Sequence, residues 1–190
     1  MATVVLLHSV HGLRPAVHRA AERLGAAGHE VLTPDLFAGR TTDSVEEGMA
    51  LKEEIGSDEL LRRAVAAAAP VSERGVVYAG FSLGAALAQN LALADVNARG
   101  LLLLHGTSDL TDDATADDLP VQLHVAEPDP FEPDDWLSAW YLRMRRAGAD
   151  VEVFRYAGAG HLYTDEDLDH YDAEAAEQTW RTALGFLETL

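Results

Sequence analysis

The sequence predicts a three-layer α/β sandwich, in which helices cover both faces of a mostly parallel, six-stranded sheet. Six short runs rich in aliphatic and β-branched residues recur along the chain, and helical segments separate most of them. The runs are continuously apolar rather than alternating, which is the pattern of strands buried on both faces. Strands of this kind that alternate with helices are typical of a sheet between two helical layers.

The predicted strands follow one another without an internal repeat or a linker between them. They lie at Thr3–His8, Glu30–Pro34, Gly75–Ala79, Gly100–His105, Val121–Ala126 and Val151–Tyr156. We therefore expect residues 1–190 to form a single domain.

Signals for helix starts and ends lie between these strands. The first helix is predicted over Pro15–Ala27, with proline in its opening turn and a glycine just past its end. Ser44 and Glu47 form a candidate capping box, and a second start signal follows Gly56. Residues 44–69 are therefore predicted to form two helices.

The second half of the chain contains three more predicted helices and an acidic loop. Residues Ser82–Leu93 are rich in alanine and glycine, which suits a helix packed closely on a sheet. The next helix opens at Pro133 and ends before Gly148, with three arginines near its carboxyl end, and the last covers Asp172–Glu188. The segment Asp109–Asp118 contains five aspartates and is predicted to be a solvated connection.

Composition excludes several classes of function. The 190 residues include 14 basic and 32 acidic side chains, for a net charge of −18. This charge repels phosphate backbones and anionic lipid, which excludes sequence-independent nucleic-acid binding. Because cysteine is absent, the chain has no disulfide, thiolate metal site or cysteine nucleophile. It has no basic leader or membrane-spanning stretch, so we expect a cytoplasmic protein.

A nucleophile is predicted at Ser82. The pentapeptide Gly-Phe-Ser-Leu-Gly at residues 80–84 follows an apolar strand and precedes the small-residue helix, which is the context of a nucleophile elbow. The flanking glycines avoid collisions with the neighbouring strand and helix in this sharp turn. A shuffled chain of the same composition would contain only about 0.04 such pentapeptides.

A serine nucleophile needs an imidazole base and a carboxylate that orients it. In this architecture both follow the serine along the chain, each in the loop after a later strand. His161 lies in a glycine-rich turn directly after the last strand, and Asp129 lies between two prolines after the fifth strand. These two are the predicted base and acid. Glu127 is the first substitute for the acid, whereas Asp134 and Asp135 are better explained as first-turn residues of a helix.

Acyl transfer also needs two donors for the developing oxyanion, and we expect these to be the backbone N–H groups of Leu83 and Val10. His8 and His11 lack a defined third ligand, so neither a metal nor another cofactor is predicted. The candidate pocket residues are Ser9, His11, Phe37, Phe81, Trp136 and Tyr163.

Four blocks of the sequence resemble the dienelactone hydrolase family of α/β-hydrolases. They are residues 4–13, residues 27–37, the pentapeptide at 80–84, and residues 129–133 together with Gly160 and His161. The resemblance covers nearly the whole chain. It implies a reduced α/β-hydrolase fold, without the family's first strands or a lid domain, and a Ser, Asp, His triad.

Departures from the family pattern bear on the substrate. The founding enzymes carry a cysteine where this chain has Ser82 and a glutamate where it has Ser9. They also hold a substrate carboxylate with arginines, one of them a few residues beyond the histidine, where this chain has the acidic run Asp165–Asp167. Acidic residues at the entrance of the site disfavour binding of an anionic lactone. We therefore expect this chain to share the family's fold and triad, but not its dienelactone substrate.

The leading hypothesis is a serine hydrolase that cleaves a small ester, lactone or thioester through an acyl-serine intermediate. The alternative is a non-catalytic α/β-hydrolase-fold protein that binds a small molecule, motivated by the missing family features and the acidic residues around His161. A flavodoxin-like nucleotide or receiver domain has the same alternation of elements. The loop after the first strand lacks a phosphate-binding glycine pattern, which disfavours this third hypothesis.

Overall fold

The computed structural model describes residues 1–190 and contains one six-stranded sheet, in the order β2-β1-β3-β4-β5-β6. Its strands are β1 (Thr3–Leu7), β2 (Glu30–Leu32), β3 (Val76–Phe81), β4 (Ala98–Leu104), β5 (Pro120–Glu127) and β6 (Asp150–Ala157). Every neighbouring pair is parallel, so the sheet is wholly rather than mostly parallel. Parallel strands are buried on both faces, which explains the continuous apolar runs in the sequence.

Six helices connect the strands and cover the sheet. They are α1 (Pro15–Ala26), α2 (Val45–Ile55), α3 (Ser57–Ser72), α4 (Leu83–Ala94), α5 (Asp134–Arg146) and α6 (Ala173–Glu188). All the elements predicted from the sequence are present, and their ends differ from the prediction by a few residues at most. None of the helices is long and apolar enough to cross a membrane.

Two apolar cores lie on opposite faces of the sheet, and β1 shows how the strands divide between them. Val5 and Leu7 belong to the larger core, together with residues of α3, α4 and α5. Val4 and Leu6 belong to the second core, which includes residues of α1 and α6. Successive strand residues point to opposite faces, so the arrangement confirms the predicted three-layer α/β sandwich.

The acidic segment 109–118 is more firmly attached than a solvated connection. Leu110 and Ala116 are buried, and the Arg143 side chain of α5 forms ion pairs with Asp109 and Asp112. The sequence prediction missed these contacts because the two apolar residues are isolated within a run dominated by aspartate.

Candidate active site

Ser82 occupies a strained turn between β3 and α4. Its φ of 51° and ψ of −109° lie outside the usual regions for a residue with a side chain, which costs on the order of 1–3 kcal/mol. Close backbone packing leaves no room for side chains on either side. A Cβ atom at Gly80 would lie 2.2 Å from the Gly84 carbonyl group, and one at Gly84 would lie 2.3 Å from the Leu7 carbonyl oxygen. Both glycines of the pentapeptide are therefore sterically required.

The side chains of Ser82, His161 and Asp129 form a continuous hydrogen-bonded chain. His161 Nε2 lies 3.0 Å from Ser82 Oγ, and His161 Nδ1 lies 2.9 and 3.1 Å from the two carboxylate oxygens of Asp129. The Asp129 side chain is fully buried and that of His161 is 9% exposed. Because the carboxylate accepts the proton on Nδ1, the lone pair of Nε2 faces the serine hydroxyl.

The loop after β5 presents Asp129 rather than the other carboxylates considered from the sequence. Asp129 Oδ1 also accepts a hydrogen bond from the Phe131 N–H group at 2.9 Å, which fixes the carboxylate within its own turn. Glu127 and Asp134 instead form ion pairs with Arg155 at the surface. Of these acids, only Asp129 contacts His161.

Two backbone N–H groups, one in the turn after β1 and one in the residue after Ser82, lack partners inside the protein. In the turn after β1, the His11 N–H group donates to Ser9 Oγ and the Gly12 N–H group donates to the Ser9 carbonyl, whereas the Val10 N–H group has no protein acceptor. Leu83 is the first residue of α4, so its N–H group has no carbonyl partner within the helix. A helix amino terminus also favours negative charge.

Helix α2 and the segment before it support the Val10 turn. Thr42 Oγ1 donates to the Val10 carbonyl at 3.2 Å, and the Thr42 N–H group donates to the His11 carbonyl at 3.1 Å. A Cβ atom at Gly48, in α2, would lie 2.5 Å from the Val10 carbonyl oxygen. Ser44 accepts a hydrogen bond from the Glu47 N–H group, which starts the helix where the sequence predicts.

The segment from Pro34 to Phe37 supports the same turn through His8. The Leu36 N–H group donates to His8 Nε2 at 3.0 Å, and His8 Nδ1 donates to the Ser9 carbonyl at 2.8 Å. Burial lowers the pKa of His8, which favours the neutral ring that this pair of contacts requires. His8 therefore has a structural role. The structure contains no cluster of three or more side chains suited to a metal ion.

The aromatic residues predicted to line a pocket differ in what they contact. Phe37 and Tyr163 are no more than 1% exposed; the Phe37 ring packs on His8, and the Tyr163 hydroxyl is hydrogen-bonded to Thr179. Both rings pack in the core beneath the loops, and their place in a substrate pocket stays a prediction. Phe81 is also buried, but it lines a small cavity together with Ser9 and Trp180, whose ring lies 6.2 Å from that of Phe81.

The remaining predicted pocket residues border the site to different extents. Ser9 and His11 are buried, and His11 Nδ1 contacts the Thr42 carbonyl at 3.1 Å while its Nε2 atom has no partner. Burial lowers the pKa of His11. Trp136 is 37% exposed, and its Nε1–H group donates to Thr107 Oγ1 at 2.8 Å.

Sequence reasoning missed Phe131 as a residue next to the predicted base. Its ring centroid lies 4.5 Å from that of His161, and the residue is 52% exposed. It is therefore an aromatic surface open to solvent beside the imidazole. The available signal was an aromatic residue two positions after the predicted acid, in a loop stiffened by prolines.

The loop after β4 also packs against the site. A Cβ atom at Gly106 would lie 2.8 Å from the Ser82 Cα and carbonyl oxygen atoms. The ring of His105 lies 6.2 Å from that of His161, and His105 Nε2 contacts Thr164 Oγ1 at 2.7 Å. Complete burial lowers the pKa of His105 well below its usual value, so this ring adds no charge to the site near neutral pH.

A model of the dienelactone hydrolase family matches residues 1–190. The chain belongs to the dienelactone hydrolase family. Membership makes it a hydrolase, with the α/β-hydrolase arrangement described above.

Curated relatives of this dienelactone hydrolase family member cover almost the whole chain. A protein assigned as a carboxymethylenebutenolidase in Aquifex aeolicus is 26% identical, over 98% of this chain and 87% of the relative. A protein assigned as a 2-oxo-3-(5-oxofuran-2-ylidene)propanoate lactonase in Bradyrhizobium is 23% identical, over 98% and 83% of the two chains.

Solved structures show the same fold. A dienelactone hydrolase-like promiscuous phosphotriesterase from metagenomic libraries superposes with a TM-score of 0.83 at 22% identity, covering 99% of this chain and 86% of the other. The esterase PE8 superposes with a TM-score of 0.73 at 17% identity, covering 99% and 92% of the two chains.

Proposed function

We propose that this dienelactone hydrolase family member is a serine hydrolase, which cleaves a small carboxylic ester, lactone or thioester through an acyl-serine intermediate. The observation that carries the proposal is the hydrogen-bonded chain from Ser82 Oγ through His161 to Asp129. The strained backbone at the amino end of α4 supports it, because it presents the hydroxyl beside a helix amino terminus.

The first half-reaction acylates the serine. Ser82 Oγ attacks the carbonyl carbon while His161 Nε2 takes the hydroxyl proton, and Asp129 stabilises the imidazolium that forms. The N–H groups of Val10 and Leu83 donate to the developing oxyanion. When the tetrahedral intermediate collapses, His161 returns the proton to the departing oxygen or sulfur atom.

The second half-reaction releases the acid product. His161 takes a proton from a water molecule as the water oxygen attacks the acyl carbon. The same two N–H groups hold the second oxyanion. Collapse breaks the bond to Ser82 Oγ, which recovers its proton from His161, and the enzyme returns to its starting state.

Surface charge favours a neutral substrate over an anionic one. The chain has a net charge of −18, and the segment after His161 carries Asp165, Glu166 and Asp167. The Arg14 guanidinium lies 3.9 Å from a carboxylate oxygen of Asp165 and 3.9 Å from one of Asp167. Its single positive charge is therefore shared between two carboxylates. The exposed ring of Phe131 offers an apolar surface for the substrate beside His161.

The test is turnover of p-nitrophenyl acetate, a simple lactone and a thioester by the wild type and Ser82→Ala. We expect kcat of the variant to fall by at least about 10³-fold, because only binding and the oxyanion donors remain, while circular dichroism stays unchanged. Ser138→Ala, at an exposed position of α5, is the matched control and should retain full activity. Undiminished turnover by Ser82→Ala would overturn the proposal. A folded wild type that turns over none of the three substrates would favour the binding-protein alternative.

A further inference from the structure

A second buried carboxylate lies beside the Ser82–His161–Asp129 chain. Glu132 is 7% exposed, and its N–H group donates to the Asp129 carbonyl at 3.3 Å. Thr107, in the loop after β4, donates hydrogen bonds to both carboxylate oxygens of Glu132. Its N–H group donates to Oε1 at 3.0 Å, and its Oγ1 hydroxyl donates to Oε2 at 2.6 Å. Thr107 Oγ1 accepts from Trp136 at the same time. Glu132 thus joins the loop of the predicted acid to the loop that packs behind Ser82.

This carboxylate has no Lys or Arg partner. The structure gives it hydrogen bonds from Thr107 and no ion pair, and the nearby titratable groups that act on it are Asp129 and His161. Burial raises the pKa of Glu132, and the hydrogen bonds from Thr107 partly offset that rise. A buried carboxylate without a cation is unfavourable unless it is well hydrogen-bonded. A hydrogen-bonded link between these two loops would not need a negative charge at position 132, because the neutral amide of a glutamine could also form hydrogen bonds to Thr107.

We propose that Glu132 is a positioning residue that acts through His161, adding a second negative charge beside Asp129 and so stabilising the imidazolium form of His161 in both half-reactions. The inference rests on the proposed function. Solvent screens a charge near a buried imidazole only weakly. A carboxylate that does not contact the His161 ring therefore still changes the free energy of protonating that ring.

The other titratable groups around His161 do not supply this charge. Asp129 contacts the ring directly from the same loop as Glu132. His105 faces the ring from the end of β4, and its burial lowers its pKa well below the usual value. His170, from the segment before α6, packs against Gly160 and can add only positive charge. Glu132 is therefore the negative group whose removal can be tested without touching the hydrogen-bonded chain.

The test uses the rate at which a fluorophosphonate modifies the serine, measured as a function of pH. In this reaction Ser82 Oγ forms a bond to phosphorus, fluoride leaves, and His161 takes the hydroxyl proton. Glu132→Gln keeps the shape of the side chain and removes its charge. We expect the acid limb of the profile to move to lower pH by roughly 0.5–1 unit. The plateau rate should also fall, because the imidazolium is less stabilised.

Two further variants separate charge from structure. Glu127→Gln removes a charge from the end of β5, but this carboxylate is exposed and paired with Arg155 at 3.7 Å, so the acid limb should not move. Thr107→Ser removes a methyl group from the contact between the loops but keeps both donors to Glu132 and the charge, so the acid limb should not move down. An unchanged acid limb in Glu132→Gln, or an equal downward shift in Thr107→Ser, would overturn the inference.

A double variant covers the case in which Glu132→Gln does not fold. Glu132→Gln combined with Trp136→Phe frees a lone pair of Thr107 Oγ1 to accept from the glutamine Nε2–H group, while the Thr107 N–H group still donates to the glutamine oxygen. It should show the same downward shift of the acid limb, and a wild-type acid limb would contradict the inference. Absence of any modification of the wild type would instead overturn the proposed function, and this inference with it.

Discussion

At the scale of single residues, the Ser82–His161–Asp129 chain depends on a carboxylate that holds one tautomer of the imidazole. The buried carboxylate of Asp129 accepts from His161 Nδ1 and from the Phe131 N–H group. The three side chains were predicted from the sequence because each residue type follows a particular strand. Glu132 and Phe131 were not, because their significance depends on contacts between loops that no sequence spacing encodes.

Asp129→Asn tests whether the Asp129 carboxylate fixes the tautomer of the His161 imidazole. An amide can donate to Nδ1, which favours the tautomer with its proton on Nε2 and removes the base from the serine. We expect kcat for p-nitrophenyl acetate to fall by roughly 10³ to 10⁴-fold, with a smaller change in KM. Asp134→Asn, an exposed carboxylate paired with Arg155, is the control and should leave kcat unchanged. Turnover of Asp129→Asn at the wild-type rate would show that another group orients His161.

At the scale of elements, the groups of the proposed site come from loops at the carboxyl ends of β1, β3, β5 and β6. Parallel strands place these ends at one edge of the sheet, which is why strand order in the sequence was enough to predict the neighbours. The support from α2 was not predicted. Gly48 is the one glycine inside that helix, and the sequence alone does not show that it faces Val10.

Gly48→Ala tests how α2 supports the Val10 turn. Alanine normally stabilises an exposed helix position by about 1 kcal/mol relative to glycine. At Gly48 the new methyl group would lie 2.5 Å from the Val10 carbonyl oxygen, so the turn must move. We expect kcat to fall by about tenfold or more, because the Val10 N–H group, one of the two proposed oxyanion donors, shifts.

Gly185→Ala provides the matched control for Gly48→Ala. Gly185 lies in α6 with no atom within 4 Å of the added methyl group. We expect a small rise in the thermal midpoint and unchanged kinetics. If the Gly48 variant has wild-type kinetics as well, the Val10 amide does not contribute to the reaction.

At the scale of the whole molecule, the fold class followed from the sequence because burial on both faces of a parallel sheet leaves continuous apolar runs. The positions of large aromatic residues did not follow. Phe37 and Tyr163 are buried under loops, and loop packing has no periodicity that could have revealed it. The burial of His105 and His124 did follow, because both lie within or at the ends of strands that the sequence predicts to be buried on both faces.

Buried histidines make the stability of the fold depend on pH. Burial lowers the pKa of His124 to about 3, and it lowers the pKa values of His8 and His105 as well. Between the unfolded value near 6.5 and these lower values, the unfolded chain binds more protons than the folded one. Stability therefore falls as pH falls below about 6.5. Glu132 acts in the opposite direction, because its pKa is raised by burial.

Urea unfolding at pH 7.5 and pH 5 measures this dependence. We expect the midpoint to fall at the lower pH, and the fall to be smaller in His124→Gln, which removes one buried titrating ring. His18→Gln, at an exposed position of α1, should keep the wild-type dependence. Equal midpoints at the two pH values in the wild type would contradict the assignment of these rings as neutral in the folded state.

Whether Ser82 is an activated nucleophile is measured by intact mass spectrometry after incubation with a fluorophosphonate, followed by peptide mapping of the adduct. We expect one adduct per chain, located on Ser82, and no adduct on the folded Ser82→Ala variant. An unmodified but folded wild type, or an adduct on another residue, would contradict it.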